Sequence, residues 1–177
     1  MPSGKWIEID EPAIIEYKNS VLPSASCPNA LERIAINFER EKLINKLSPY
    51  KNDAHVIVII EGVLMYLGAA QKNELLETLT TLFPIHVLFC DLMKKNFFEK
   101  FGKPIHEKLA KHGAHFTDVS NEPWNIFLQH GYRQTAAVST MKTAVKIGVI
   151  KMPLLFFYLM MRKHIMGYAV YRFEFSK

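Results

Sequence analysis

The chain has 177 residues, of which 49% are hydrophobic and 22% are charged, and this balance is typical of one folded domain and excludes bulk disorder. The formal net charge is +5, but the basic residues are spread along the chain, so a nucleic-acid partner is not expected. The two cysteines, Cys27 and Cys90, have neither metal-ligand spacing nor a disulfide framework, which favours free thiols and a cytoplasmic location.

The first half of the chain predicts strands that alternate with helices. A helix is expected to begin at Pro12, because proline lacks the N–H group that would be unpaired at a first helical position. The β-branched run 55–60 predicts a parallel strand covered on both faces. Strands are predicted over 6–10, 33–37 and 55–60, and helices over 12–21, 39–47 and 71–82.

The second half continues this alternation, which favours an α/β fold with a mainly parallel sheet in a single domain over 1–177. Aromatic and charged residues alternate over 168–175, which predicts an antiparallel last strand with one solvated face. Strands are predicted over 85–90, 132–140 and 168–175, and helices over 97–112, 123–130 and most of 142–163.

The apolar run 152–161 is too short to span a bilayer, which needs about 20 residues. Its basic flanks, Lys151 and Arg162 with Lys163, would suit a segment lying on a membrane surface. A helix that packs on a core or covers a site is the favoured interpretation. We therefore expect no membrane partner.

Ligands of parallel α/β sheets gather outside the carboxyl ends of the strands, so polar residues at those ends are the candidates. Asp10 follows the first strand, where its carboxylate can accept hydrogen bonds from a ribose diol or cap the next helix, and both alternatives stay open. The residues at such positions are Asp10, Asn37, Phe38, Glu61, Tyr66 and Asp91.

Asn37 and Phe38 follow the second strand, where an amide and a flat ring can frame an adenine. The alternative, a turn residue and a core aromatic, is favoured for this pair taken alone. Glu61 ends the most apolar strand, and a carboxylate facing a cationic sulfonium or amine explains it better than a turn cap. Gly62 allows a ligand or backbone to approach closely. The histidines show no metal-ligand spacing.

These residues resemble the leucine carboxyl methyltransferase family and its bacterial O-methyltransferase relatives. Residues 6–12 are similar to the family's E-x-D-x-P segment, and residues 61–67 to its E-G/C-V-L-x-Y-L/M segment. Residues 34–39 are similar to its D-L/F-R turn, and residues 167–174 to the closing strand of bacterial relatives. The resemblance covers nearly the whole chain.

The resemblance implies a class I methyltransferase (Rossmann-like) fold and S-adenosylmethionine as methyl donor. Asp10 would bind the ribose hydroxyls, Asn37 and Phe38 would lie by the adenine, and Glu61 would lie near the methionine end. Asn37 stands where Asp is usual in the carboxyl methyltransferases. Tyr66 is the nearest candidate for shaping the acceptor side, or it packs under the cofactor. The implied acceptor is a carboxylate or hydroxyl of a small molecule or protein, and no metal or catalytic base is assigned.

The family's first strand and its G-A-G-x-D loop have no counterpart in this sequence, which corresponds to the C-terminal two-thirds of the family fold. The absent strand would lie between the strands that end at Asp10 and Ile60. We therefore expect an N-terminally truncated relative with impaired activity and homo-oligomerisation through unpaired strands. The alternative is a non-catalytic remnant that acts as an association module.

Overall fold

The computed structural model describes residues 4–38, 40–51, 55–111, 115–117 and 119–177. The chain divides into two compact units, Met1–Lys51 and Asn52–Lys177, called here the N-terminal and C-terminal units. Glu39, at the start of one predicted helix, and His112, at the end of another, lie outside the described residues. In the part of the chain that is described, no helix is long and apolar enough to cross a membrane.

The N-terminal unit is a two-stranded parallel sheet with one long helix. Pro12 occupies the first turn of that helix, as predicted, and Ile15 on its inner side is buried. Ile36 and Leu47 are the other buried apolar side chains described in this unit. Its elements are β1 (Lys5–Asp10), α1 (Pro12–Val21), β2 (Ala30–Ala35) and α2 (Leu43–Leu47), with 3₁₀ turns at Ser24–Ser26 and Ser48–Tyr50.

The C-terminal unit is a four-stranded mixed sheet in the order β3-β4-β6-β5. The β3–β4 pair is parallel, whereas β6 is antiparallel to both β4 and β5. A bulge interrupts β5 between Gln134 and Ala136. The elements are β3 (Val56–Ile60), α3 (Ala69–Leu82), β4 (Ile85–Met93), α4 (Lys95–Phe97), a π-helical turn (Phe98–Gly102), α5 (Lys103–Ala110), α6 (Asn125–Gln129), β5 (Arg133–Ser139), α7 (Thr140–Lys146), α8 (Leu154–Met161) and β6 (Tyr168–Ser176).

The core of this unit is aromatic. Phe173 of β6 is fully buried, and its ring stacks on that of Phe127 with a centroid separation of 4.3 Å. Leu88 and Cys90 fill the same face of β4. His86 is also buried there, and both of its ring nitrogens are hydrogen-bonded.

The α/β fold and the antiparallel final strand are confirmed, and the differences concern the limits of strands and helices and the coverage of one strand. The helix predicted over 39–47 begins only at Leu43, and a π-helical turn lies within the region predicted as one helix over 97–112. The prediction that the fourth strand ends at Asp91 is wrong, because β4 continues through it to Met93. β2 begins at Ala30 and ends at Ala35, earlier than predicted. The expectation that β3 is covered on both faces is also wrong, because the alternate residues Ile57 and Ile59 remain exposed.

Candidate functional site

The N-terminal unit brings three of the predicted site residues together. Asp10 is paired with Ala35 in the parallel ladder, and the backbone N–H of Ile36 donates to the carbonyl oxygen of Asp10 at 3.0 Å. Because Ile36 is fully buried, it anchors the point where the chain leaves β2. Asn37 and Phe38 follow at once, so they lie beside Asp10 at the carboxyl edge of the two strands.

The carboxylate of Asp10 is oriented by two neighbours. Oδ1 accepts the backbone N–H of Glu11 at 2.9 Å, and Oδ2 accepts the ammonium of Lys18 at 3.3 Å. The residue that caps α1 is Glu11, without a side-chain cap hydrogen bond, so Asp10 does not act as the helix cap. The carboxylate remains partly exposed, and each oxygen keeps a lone pair for a ligand.

Behind Asp10 lies an ionic network that ties α1 to both strands. The guanidinium of Arg33 donates to Glu8 at 2.7 Å and to the carbonyl oxygen of Leu22 at 2.6 Å, and its side chain is only 7% exposed. Glu8 also accepts the ammonium of Lys18 at 3.1 Å. The hydrogen bond from Arg33 lowers the pKa of Glu8, and the hydrogen bond to Glu8 raises the pKa of Lys18. Both groups are therefore held in their charged forms beside Asp10.

Asn37 begins a tight turn. Its backbone N–H donates to a carboxylate oxygen of Glu41 at 3.0 Å, and its carbonyl oxygen accepts the N–H groups of Arg40 and Glu41. That hydrogen bond from Asn37 is the main cause of the lowered pKa of Glu41. The turn holds Phe38 at 38% exposure, so Phe38 is not the core aromatic of the alternative interpretation. Its ring face is available to a ligand.

In the C-terminal unit, Glu61 is exposed directly after the buried end of β3. Gly62 follows with φ +66°, a conformation that glycine adopts without strain. Its N–H donates to Oδ1 of Asp91 at 2.8 Å, and the hydroxyl of Tyr168 donates to Oδ2 of Asp91 at 2.7 Å. Asp91 is 5% exposed, so these contacts stabilise a buried carboxylate and fix the turn that carries Glu61.

Tyr66 lies at the other end of this turn and is half-buried. Its carbonyl oxygen accepts the hydroxyl of Thr117 at 2.9 Å, and its ring meets that of Phe116 edge-on at 5.2 Å. Tyr66 therefore packs on an aromatic neighbour.

A small cavity beside Phe116 is lined mainly by apolar side chains, among them Leu64, Met65 and Leu92. Such a lining suits an apolar group more than a charged one.

Three important contacts were not foreseen. Arg33 and Lys18 had no predicted role, although the long charged side chain of Arg33 within a strand is a signal that it has a partner. Asp91 was taken as a residue of the sheet edge, whereas it lies inside β4 and joins Gly62 to Tyr168. The same signal applied to it, because four apolar residues, 87–90, precede it and two, Leu92 and Met93, follow it. Among the residues that the structure describes, no group of three His, Cys, Asp or Glu is placed to hold a metal ion.

The chain is similar in fold to several solved structures, among them an O-methyltransferase family protein. A DUF574 family protein from Streptomyces avermitilis matches with a TM-score of 0.68 and 9% identity, covering 99% of this chain and 66% of that one. An O-methyltransferase family protein from Burkholderia thailandensis matches with a TM-score of 0.59 and 12% identity, covering 99% of this chain and 45% of that one. The pyocyanin biosynthetic protein PhzM matches with a TM-score of 0.59 and 8% identity, covering 99% of this chain and 44% of that one. This chain thus spans about half to two thirds of their lengths.

The family model described as leucine carboxyl methyltransferase matches residues 3–80. No curated protein sequence matches the chain. The matched segment contains both predicted motifs, the one that ends in Asp10 and the one that starts at Glu61. The predicted relationship is therefore confirmed: residues 3–80 match the leucine carboxyl methyltransferase family, and the chain has the fold of the class I methyltransferases.

Proposed function

We propose that this chain forms part of an S-adenosylmethionine-dependent O-methyltransferase, with Asp10, Asn37 and Phe38 against the nucleoside of the cofactor. The observation that supports this most is the juxtaposition of Asp10 and Asn37 at the carboxyl edge of two parallel strands, inside the family-matched segment. Nucleotide cofactors of α/β folds are bound at this edge.

The chemistry of these three side chains fits a nucleoside. A carboxylate with a free lone pair on each oxygen can accept both hydroxyls of a ribose, and Lys18 and the N–H of Glu11 hold it in place. The exposed ring of Phe38 offers a flat apolar face to a base. The amide of Asn37 can pair with the edge of the same base, as donor or acceptor.

In the C-terminal unit, we assign Glu61 to the methionine end of the cofactor and Tyr66 to the acceptor side. The carboxylate of Glu61 is exposed and would attract the cationic sulfonium or the amino group. The buried Asp91 keeps Gly62, and therefore Glu61, in one position. Methyl transfer requires alignment of donor and acceptor and exclusion of water, and a carboxylate acceptor needs no base.

The sequence contains no pair of glycines in a G-x-G spacing, so it lacks the backbone loop that approaches the cofactor closely in such folds. We therefore propose that these 177 residues bind the cofactor weakly and transfer methyl groups slowly or not at all. The acceptor would be a carboxylate or hydroxyl, and the apolar lining beside Phe116 favours one attached to an apolar group.

Saturation-transfer NMR with S-adenosylhomocysteine tests the nucleoside site, because the method detects weak binding. We expect Asp10→Ala to lower the affinity about tenfold or more, since two hydrogen bonds to a charged group are lost. Lys18→Met keeps the carboxylate and should bind with an intermediate affinity. Glu16→Gln, an exposed change on α1, is the matched control. Equal saturation of the ribose protons by wild type and Asp10→Ala would remove the proposal.

A second candidate is an association module that acts through strand edges. Within the described residues, β1 pairs only with β2 and β3 pairs only with β4, and β3 carries the exposed Ile57 and Ile59. Unpaired edges with apolar side chains favour strand addition. Sedimentation velocity over a wide concentration range separates the two candidates. A concentration-dependent dimer that Ile57→Lys with Ile59→Lys abolishes would favour this one, and a strict monomer would exclude it.

A further inference from the structure

Helix α8 of the C-terminal unit, Leu154–Met161, consists only of apolar and aromatic residues. Phe157 and Met161 face inward and are buried with Val145 of α7. The opposite side is not covered: Leu155 is 75% exposed and Leu159 is 73% exposed. The sequence alone favoured a helix packed on a core, but only one side of this helix is packed.

The exposed side is continuous along the helix. Residues three and four positions apart share a helix face, so Leu155 and Leu159 form one row and Phe156 and Met160 form the next. The loop that precedes the helix adds two more exposed aliphatic side chains, Ile147 and Val149. The α8 patch is defined here as Ile147, Val149, Leu155, Phe156, Leu159 and Met160. Exposed apolar patches of this kind mark interaction sites.

The segment that carries the patch has charges of one sign only. The 51 residues from Pro123 to Phe173 contain no Asp or Glu. Arg133 and Arg172 at the sheet are paired with Glu174, which leaves five exposed basic residues near the two helices. They are Lys142, Lys146, Lys151, Arg162 and Lys163.

Both ends of α8 carry some of these cations. Lys151 precedes the helix, and Arg162 is its C-terminal cap with helical backbone angles (φ −42°, ψ −45°). Lys163 comes four residues after Leu159, at the end of the row that starts at Leu155. Cations near a helix C-terminus are also favoured by the helix dipole, but the dipole does not explain Lys151 or the exposed apolar rows.

From this arrangement we propose that the α8 patch binds the surface of an anionic lipid bilayer, with its apolar rows among the acyl chains and its basic residues at the headgroups. In an anionic bilayer, the apolar acyl chains lie about one side-chain length below the negatively charged headgroups. An apolar helix with cations at both ends matches this arrangement. The occupant is a membrane surface and not a spanning environment, because α8 has eight residues. This surface function is independent of the proposed cofactor site.

Flotation with vesicles tests the proposal on the full 177-residue chain. We expect binding to vesicles with about 30% phosphatidylserine and none to pure phosphatidylcholine, because the cations need anionic headgroups. Salt at about 0.5 M should release the protein, since the Debye length then falls to about 4 Å and the attraction between the basic residues and the headgroups is screened. Equal binding to both vesicle types, or no flotation with the anionic ones at low salt, would overturn the proposal.

Two variants separate the apolar from the ionic contribution. Leu155→Glu with Leu159→Glu should lower the partition coefficient at least about tenfold, and both positions are exposed enough to leave the inner packing intact. Lys151→Gln with Lys163→Gln should lower it by a factor of about five per residue. Val21→Glu with Leu22→Glu changes exposed apolar residues of the N-terminal unit and is the control, expected to bind as wild type.

The same variants test the other occupants. If Leu155→Glu with Leu159→Glu dissolves a dimer seen by sedimentation and the vesicles do not float the wild type, the patch is a contact between two copies of the chain. That outcome overturns the lipid proposal. S-adenosylhomocysteine binding measured on the same variants should stay unchanged, so failure of the lipid proposal and failure of the cofactor proposal are distinguishable.

Discussion

The two units are stabilised by different interactions. The N-terminal unit has few buried apolar side chains among its described residues, and Arg33, Glu8 and Lys18 hold its helix to its strands by ion pairs. The C-terminal unit has an aromatic core in which Phe127 and Phe173 stack. A two-stranded sheet is marginal by itself, so we expect the N-terminal unit to depend more on its ion pairs than the C-terminal unit does.

The sequence provides a separate reporter for each unit. Its two tryptophans are Trp6 in the N-terminal unit and Trp124 in the C-terminal unit, where Trp124 stacks on Tyr171. The single-tryptophan backgrounds Trp6→Phe and Trp124→Phe therefore allow urea unfolding of each unit to be followed by fluorescence.

The largest expected effect comes from the aromatic core. Phe173→Ala should lower the free energy of unfolding reported by Trp124 by about 3–5 kcal/mol, because a fully buried ring leaves a cavity beside Phe127. The transition reported by Trp6 should move much less. An equal shift of the unfolding transitions reported by Trp6 and Trp124 would show that the two units unfold together. The proposed difference in how the units are stabilised would then be wrong.

A smaller effect is expected at the ionic network. Arg33→Met keeps the apolar stem but removes the donor to Oε2 of Glu8 and to the carbonyl oxygen of Leu22, so the free energy of unfolding reported by Trp6 should fall by about 1.5–3 kcal/mol. Trp124 should report no change. A variant that is as stable as wild type would mean that the apolar contacts of Ile15 and Ile36 are enough to hold the unit together.

The third prediction concerns how stability changes with pH, and it states only the direction of that change. Burial lowers the pKa of His86 below its usual value of 6.5, and the hydrogen bond to the carbonyl oxygen of Phe83 opposes this shift without cancelling it. Near pH 6 the unfolded chain therefore binds more protons than the folded one. The contribution of neutral His86 to stability is complete above about pH 6.5, the usual pKa of the unfolded chain. It is lost as the pH falls through the lowered pKa of His86 in the folded chain.

Urea titrations between about pH 7.5 and pH 5 check this prediction. All seven histidines lie at or beyond position 55, so the acid-induced loss should be seen by Trp124 and not by Trp6. His86→Leu should flatten the pH dependence at Trp124. An unchanged slope in that variant would assign the effect to another histidine, and His164, whose pKa is lowered by burial and by Lys100, would be the next to replace.

The smallest effect is expected at the surface pair of Lys5 and Glu32, whose side chains are about half exposed. Glu32→Gln should not move either unfolding transition measurably, because exposed ion pairs contribute little and are screened by salt. This variant is the matched control for Arg33→Met, since both remove one ion pair between neighbouring strands or their flanks. A clear shift at Trp6 would mean that surface charge stabilises the unit generally.

Local sequence patterns were enough to predict the order of the elements, and the start of α1 at Pro12 is confirmed. The strand patterns were enough to place Asp10 and Asn37 at strand ends, and the binding roles that the family resemblance implies for them stay predictions. What could not be predicted depends on contacts between residues far apart in sequence. Asp91 lies inside β4 because β6 pairs along its whole length, and the buried carboxylate is stabilised by Tyr168, 77 residues away.

The outer side of α8 illustrates a second limit. Periodicity shows where apolar residues recur, but a helix that is apolar on every side gives no sign of which side is covered. Only the packing of Phe157 and Met161 against α7 distinguishes the two sides. For β3, the β-branched run did not reveal that Ile57 and Ile59 are exposed, since this depends on what lies against the sheet.

The bulge in β5 makes the two edges of the four-stranded sheet unequal. Thr135 is left out of the ladder with β6, and its hydroxyl instead joins the guanidinium and the carbonyl oxygen of Arg172. Such an irregular margin is a poor template for another strand, whereas β3 presents a regular one. We therefore expect any further strand to pair at the β3 margin of this sheet, because the irregular β5 margin disfavours edge-to-edge pairing.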